Sequence, residues 1–99
     1  MTNLVMPATK RVTKLMREYR RRPMYFVSTG YGRTALIVHD GAEFRRVTAF
    51  NPTTFRQLID HRLVVLSETS EDAPEYRGRQ RHDSRRAEAV TLADNGLAL

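Results

Sequence analysis

The sequence predicts an α+β fold built from a basic N-terminal helix, a β-hairpin, a second helix and a two-stranded β element. Three stretches predict it. Residues 9–22 carry an apolar stripe at helical spacing, residues 24–39 hold two β-prone runs around a glycine turn, and residues 51–66 have the pattern of a capped helix followed by a strand. The 99 residues have the length of one domain, which we expect to span residues 1–99.

Composition excludes several classes of protein. The chain has no cysteine, which excludes disulfides and cysteine-ligated zinc. No apolar run approaches the roughly 20 residues that a membrane helix needs, and the N-terminus has no apolar run long enough for a signal peptide. We therefore expect a cytoplasmic protein with no membrane partner.

The charge of the chain points to an anionic partner. Lys and Arg number 17 against 11 for Asp and Glu, so the formal net charge is +6 and the pI is near 10.5. All but two of these cations are Arg, whose planar fork matches phosphate oxygens and guanine edges. A basic pI is typical of nucleic-acid-binding proteins, although a genome rich in G and C also favours arginine.

A first helix is predicted to begin at Pro7 or Thr9 and to end before Pro23. Its apolar stripe, at i, i+3, i+4 and i+7, consists of Val12, Leu15, Met16 and Tyr19. The other faces are cationic, which is typical either of a solvated helix surface or of a surface that contacts phosphates. The candidate phosphate contacts are Arg11, Lys14, Arg17 and Arg21.

Residues 24–29 and 34–39 predict a β-hairpin around the turn Gly30-Tyr31-Gly32-Arg33. This glycine turn is not a phosphate-binding P-loop, because it lacks the Lys-Ser/Thr pair and no helix follows it. Residues 43–49 predict either a third short strand or a turn of helix.

The second helix is predicted at residues 52–62, with Asn51 as its N-cap and Pro52 at its first position. The expected buried stripe consists of Phe55, Leu58, Ile59 and the aliphatic stem of Arg62. The opposite side of the helix is expected to carry Thr53, Gln57 and Asp60. The flanks are expected to carry Thr54, Arg56 and His61.

A wing is predicted after this helix. Residues 63–66 and 87–92 are expected to pair as strands, and about 68–87 to form a mobile loop between them that is acidic first and then basic. Thr91 is expected to cap a last segment in which Leu92, Leu97 and Leu99 pack on the core. The wing arginines are Arg77, Arg79, Arg81, Arg85 and Arg86.

The order of these parts resembles a winged helix-turn-helix DNA-binding domain over about 90 residues. One match is Arg46-Val47-Thr48 followed by Thr54-x-x-x-Leu58-Ile59-x-x-Arg62-Leu63-Val64, and the other is Val90-Thr91-Leu92-Ala93-Asp94-Asn95-Gly96-x-Ala98-Leu99. The chain has His61 and Arg62 where such domains usually have Gly, and a predicted hairpin where they usually have a full helix.

The resemblance implies a transcriptional regulator or small architectural factor that binds duplex DNA, either as a monomer or as a homodimer, without a cofactor. It assigns base reading to Thr53, Thr54, Arg56 and Gln57 at the N-terminal half of the recognition helix. Arg pairs with guanine and Gln with adenine, while the wing arginines would lie along phosphates or in a minor groove.

Other functions have weaker signals. The histidines are scattered without metal-ligand spacing and no nucleophile elbow occurs, so we expect no catalytic residue, no metal site and no enzyme activity. One alternative is a small modulator of the phage or plasmid type that binds a host protein. The other is an RNA-binding protein in which Tyr25, Phe26 and Tyr31 stack on bases.

Overall fold

The computed structural model describes residues 5–30, 32–41, 43–67 and 88–99. These ranges form three helices and one five-stranded sheet, an α+β fold as predicted. None of the helices in these ranges is both long and apolar enough to cross a membrane. The elements are α1 (Pro7–Glu18), β1 (Met24–Gly30), β2 (Arg33–Asp40), β3 (Glu43–Phe50), α2 (Pro52–Asp60), β4 (Val64–Leu66), β5 (Glu88–Leu92) and α3 (Asp94–Ala98).

The strands lie in the order β3-β2-β1-β5-β4, and each neighbouring pair is antiparallel. The predicted hairpin is confirmed as β1 and β2. Residues 43–50 form a third strand at the edge of the sheet, so the alternative of a helical turn there is wrong. Within the described ranges, three strands therefore separate α1 from α2, and no further helix lies between them.

The main core lies between the sheet and the helices. It contains Val12 and Met16 of α1, Leu58 of α2, and the residues of alternate strand positions that face them, Met24, Phe26, Leu36, Val38 and Val90. Leu15 and Tyr19 pack against this core, so the predicted stripe of the first helix is confirmed. Because both helices bury side chains in one cluster, α1 and α2 cover the same face of the sheet, which we call the helix-bearing face.

The first helix is shorter than predicted. It ends at Glu18, and residues 19–22 form turns in which the Arg22 N–H donates to the Tyr19 carbonyl over 2.9 Å. The Arg20 N–H likewise reaches the Arg17 carbonyl, an i to i−3 contact that tightens the end of the helix. Pro23 disfavours helical geometry at the residue before it, which favours a stop ahead of the proline.

A smaller cluster of strand residues lies on the other side of the sheet, which we call the second face. Val27, Ala35 and Ile37 are buried there, with Tyr25 and Ala49 beside them. Side chains of a strand alternate between the two faces, so these residues occupy the positions between those of the main core.

The predicted pairing of the last two strands is confirmed. Val64 lies opposite Leu92 and Leu66 opposite Val90. The predicted mobile loop at about 68–87 lies outside the described residues, and so do its arginines at positions 77, 79, 81, 85 and 86.

The chain after β5 differs from the prediction in two respects. Ala93 rather than Thr91 is the N-cap residue of α3. Leu92 packs against the main core as expected, but Leu97 and Leu99 are 43% and 41% exposed, so their predicted burial is wrong.

The turn between α2 and β4 depends on a left-handed residue. Arg62 has φ of 54°, a conformation that glycine adopts more readily than any residue with a Cβ. The Leu63 N–H then donates to the Leu58 carbonyl over 2.9 Å, which closes the helix. The position is one of the two at which winged-helix domains usually have Gly.

Candidate nucleic-acid interface

The start of α2 is fixed by its cap. The Asn51 side-chain oxygen accepts the Thr54 N–H over 2.9 Å, and Pro52 occupies the first helical position. The cap fixes the residue at which the helix begins, and Leu58 on the inner side of the helix is fully buried in the main core. The exposed line of the helix consists of Thr53, Arg56 and Asp60.

Two of the four predicted base-reading residues are not free to read bases. Thr54 is only 3% exposed, so the prediction that it lies on the exposed half of the helix is wrong. The Gln57 side-chain oxygen accepts hydrogen bonds from the Met6 N–H over 3.1 Å and from the Thr9 hydroxyl over 2.5 Å. Gln57 therefore joins α2 to the N-terminal end of α1, whereas Thr53 and Arg56 remain on the surface.

The predicted stripe of α2 is only partly buried. Leu58 is buried and Phe55 packs against the core, but Ile59 is 39% exposed. Arg62 lies beyond the helix and is exposed. Ile59 borders an open groove of about 420 Å³, lined by Gly32, Thr34, Pro52, Phe55, Arg56, Ile59 and Asp60.

The cationic residues of α1 divide into free and engaged side chains. Arg11 and Lys14 are exposed, as is Arg21 in the turns that follow. Arg17 is engaged, because its guanidinium donates to the main-chain oxygens of Gly96 and Leu99 over 3.3 and 3.2 Å. Arg17 therefore holds α3 against α1, and its predicted role as a phosphate contact is not supported by its position.

Lys10 and Arg20, which lie beside these candidates, are exposed as well. The i, i+4 spacing of Lys10 to Lys14 places both on one helix face. Among the described residues, the ion pair of Arg22 with Asp40 is the one salt bridge. We define the cationic surface as six exposed cations of α1, the turns after it and α2: Lys10, Arg11, Lys14, Arg20, Arg21 and Arg56.

The cations of α1 and the exposed line of α2 belong to helices that pack on the same face of the sheet. Both helices pack on the helix-bearing face, so their residues opposite the core point away from the sheet in the same direction. The hydrogen bond between Thr9 and Gln57 joins the two helices. Lys10 directly follows Thr9 in the sequence, and Arg56 directly precedes Gln57. The exposed side chains predicted to read bases, Thr53 and Arg56, and the exposed cations of α1 therefore lie on the helix side of the sheet.

The net charge resides in the described part of the chain. Residues 68–87 contain five arginines and five acidic residues, so their formal charge is zero. The full formal charge of +6 is therefore carried by the other residues. Acidic side chains on the described part include Glu18 beside α1 cations and Asp60 one turn after Arg56.

Metal chemistry has no support in this part of the chain, since the described residues contain no group of three or more His, Asp or Glu side chains placed to hold an ion.

Comparison with protein-family models, with curated proteins and with solved structures gives no match to this chain. The functional interpretation therefore rests on the geometry and charge of the surface itself.

Proposed function

We propose that this protein binds duplex DNA through the cationic surface, with Arg56 and Thr53 turned towards the bases. The observation that carries the proposal is the set of exposed cations on α1 and its following turns that have no acidic partner among the described residues, beside a second helix that packs on the same face of the sheet. Such a surface neutralises phosphates and releases the counterions condensed on DNA.

The orientation of α2 follows from its charges. The N-terminal end of a helix carries a partial positive charge and exposes backbone N–H groups. Thr53 lies in the first turn of α2 and Arg56 at its middle, whereas Asp60 lies at its end and would repel phosphate. We therefore place the N-terminal end of α2 towards the DNA and its C-terminal end away from the phosphates.

The structure limits how much sequence α2 can read. With Thr54 buried and Gln57 bonded to α1, Arg56 is the one side chain of the four that can make a bidentate contact with guanine. One such contact contributes about 1–3 kcal/mol of discrimination. We therefore propose a protein whose affinity comes mostly from phosphate contacts, as in an architectural factor, rather than a highly sequence-specific regulator.

A winged-helix mode of docking is the finer part of the proposal. It is supported by the antiparallel pairing of β4 with β5 directly after α2, and by the left-handed Arg62 between helix and strand. In this mode the arginines between these strands would add contacts beside the cationic surface. The three strands between α1 and α2 replace the usual second helix, so α2 would approach DNA with support from the sheet and α1.

A titration of random duplex DNA, followed by fluorescence anisotropy at several salt concentrations, tests the proposal. With Arg56 turned towards the bases, the other five members of the cationic surface make five phosphate contacts and predict a log–log slope of affinity against salt of about −4.5. Absence of binding at about 50 mM salt would overturn the proposal.

A further inference from the structure

An aromatic cluster lies at one end of the second face of the sheet. Its members are Tyr25 of β1, His39 of β2 and Phe44 of β3. The His39 and Phe44 rings are stacked with centroids 4.6 Å apart and planes inclined by 27°. The Tyr25 ring meets Phe44 edge-on, with centroids 5.9 Å apart and an interplanar angle of 75°.

Strand register places these rings on one face. Phe44 lies opposite His39, and Tyr25 lies opposite Ile37, which is buried in the cluster of the second face. Residues paired across antiparallel strands project to the same side of the sheet. The three rings therefore form one surface, on the side opposite to α1 and α2.

The rings remain accessible. Phe44 is 36% exposed, and Tyr25 and His39 are half-buried, in contrast to the fully buried Ala35 and Ile37 beside them. Phe44 also lies on the edge strand of the sheet, where a polar side chain would satisfy the fold equally well. An exposed aromatic ring at such a position presents a flat face on which a planar ligand can stack.

The charge of this surface selects an anionic ligand. Arg46 is exposed and lies opposite Ile37, so it projects from the same face as the rings. The acidic residues on the described strands project to the other side. Asp40 and Glu43 are paired with each other at positions that alternate with His39 and Phe44, and Glu88 lies opposite the core residue Phe26.

We propose that Tyr25, His39, Phe44 and Arg46 form a binding site for unpaired bases of single-stranded nucleic acid, separate from the cationic surface on the helices. Bases stack on aromatic rings in a way that tolerates any sequence, and a neighbouring guanidinium neutralises the backbone phosphate. A duplex cannot use this site, because its bases are stacked within the helix.

The test compares two single strands of equal charge. One is an oligothymidylate of about ten nucleotides, and the other is an abasic strand of the same length, which keeps the phosphates but has nothing to stack. Since one stacked base contributes about 1–3 kcal/mol, the wild-type protein should bind the oligothymidylate about 5-fold to 100-fold more tightly than the abasic strand. Equal affinity for the two strands would overturn the proposal.

Variants locate the effect. Phe44→Leu keeps an apolar side chain on the edge strand but removes the ring, and it should abolish most of the preference for the oligothymidylate. Val65→Ala is the matched control, because Val65 is an exposed apolar residue on β4, away from the aromatic cluster, and it should keep the preference. A preference that survives in Phe44→Leu would contradict the assignment.

The result is independent of the proposed binding of duplex DNA. Neutralising Lys10 and Lys14 on the cationic surface should weaken binding of both single strands and of duplex DNA, because it removes phosphate contacts. It should leave the ratio between oligothymidylate and abasic strand unchanged. A ratio that falls to one in this variant would place base recognition on the helices and contradict the proposal.

Discussion

Gln57 is predicted to stabilise the protein rather than to contact DNA, and Gln57→Ala tests this division. The Gln57 oxygen accepts two hydrogen bonds, from the Met6 N–H and the Thr9 hydroxyl. Thr9 is fully buried, so the substitution leaves its hydroxyl without this partner. It also removes a tertiary cap from α1, whose N-cap residue Met6 has no side-chain cap of its own.

The expected loss follows from the cost of an unsatisfied buried group. Leaving one buried donor unpaired costs about 1–3 kcal/mol, and the second bond, to the exposed Met6 N–H, adds less. We therefore expect the free energy of unfolding to fall by about 2 kcal/mol. For a domain of this size such a loss lowers Tm by about 10 °C.

Urea unfolding followed by far-UV circular dichroism measures the loss, and two variants serve as controls. Gln57→Glu retains an oxygen acceptor at the N-terminal end of α1, where negative charge is favourable, so its stability should stay within about 0.5 kcal/mol of wild type at neutral pH. Arg56→Ala removes the exposed neighbour and should be equally neutral for stability.

Binding of duplex DNA should show the reverse order. Arg56→Ala should weaken binding, whereas Gln57→Ala, measured well below its Tm, should bind within about twofold of wild type. The reasoning is refuted if Gln57→Ala leaves stability unchanged while weakening DNA binding, because Gln57 would then be a reading residue after all.

Two further predictions concern the elements that position the surface. Asn51→Ala removes the cap bond to the Thr54 N–H and should lower the free energy of unfolding by about 1 kcal/mol. In urea unfolding this loss should shift the midpoint without changing the slope. An unchanged midpoint would mean that the cap does not set the start of α2. Gly96→Ala would bring a Cβ against the Leu63 carbonyl and the Leu92 side chain, so it should lower the free energy of unfolding by about 1–3 kcal/mol even though Ala favours helix. The Ala93 N–H donates to that carbonyl, and its hydrogen exchange should accelerate in the variant. Unchanged protection of this N–H would contradict the close packing.

Local signals in the sequence were sufficient for most elements. Asn51 and Pro52 predict the start of α2 because cap geometry involves only neighbouring residues. The hairpin follows likewise from two β-prone runs around a turn. The third strand was ambiguous because β3 is an edge strand whose register shifts opposite Leu36 and Ile37, which interrupts the alternation expected of a strand.

Side-chain roles on the helices were harder to predict, because they depend on where other elements pack. A helical pattern separates an apolar stripe from polar faces, but it does not show that α1 approaches one flank of α2 and engages Gln57. Arg17 lies on a polar face of α1 like the surface cations, yet the main-chain oxygens of Gly96 and Leu99 accept hydrogen bonds from it. Both assignments require contacts between residues far apart in sequence, which periodicity cannot reveal.

The salt dependence of duplex binding in a variant with Lys10, Arg11 and Lys14 replaced by Gln tests the central claim most directly. These exposed side chains have no acidic partner in the described structure, so the protein should remain folded. Each lost phosphate contact reduces the magnitude of the log–log slope by about 0.9, so the slope should change from about −4.5 to about −2. A slope equal to that of the wild-type protein would show that these cations do not contact DNA and would contradict the account.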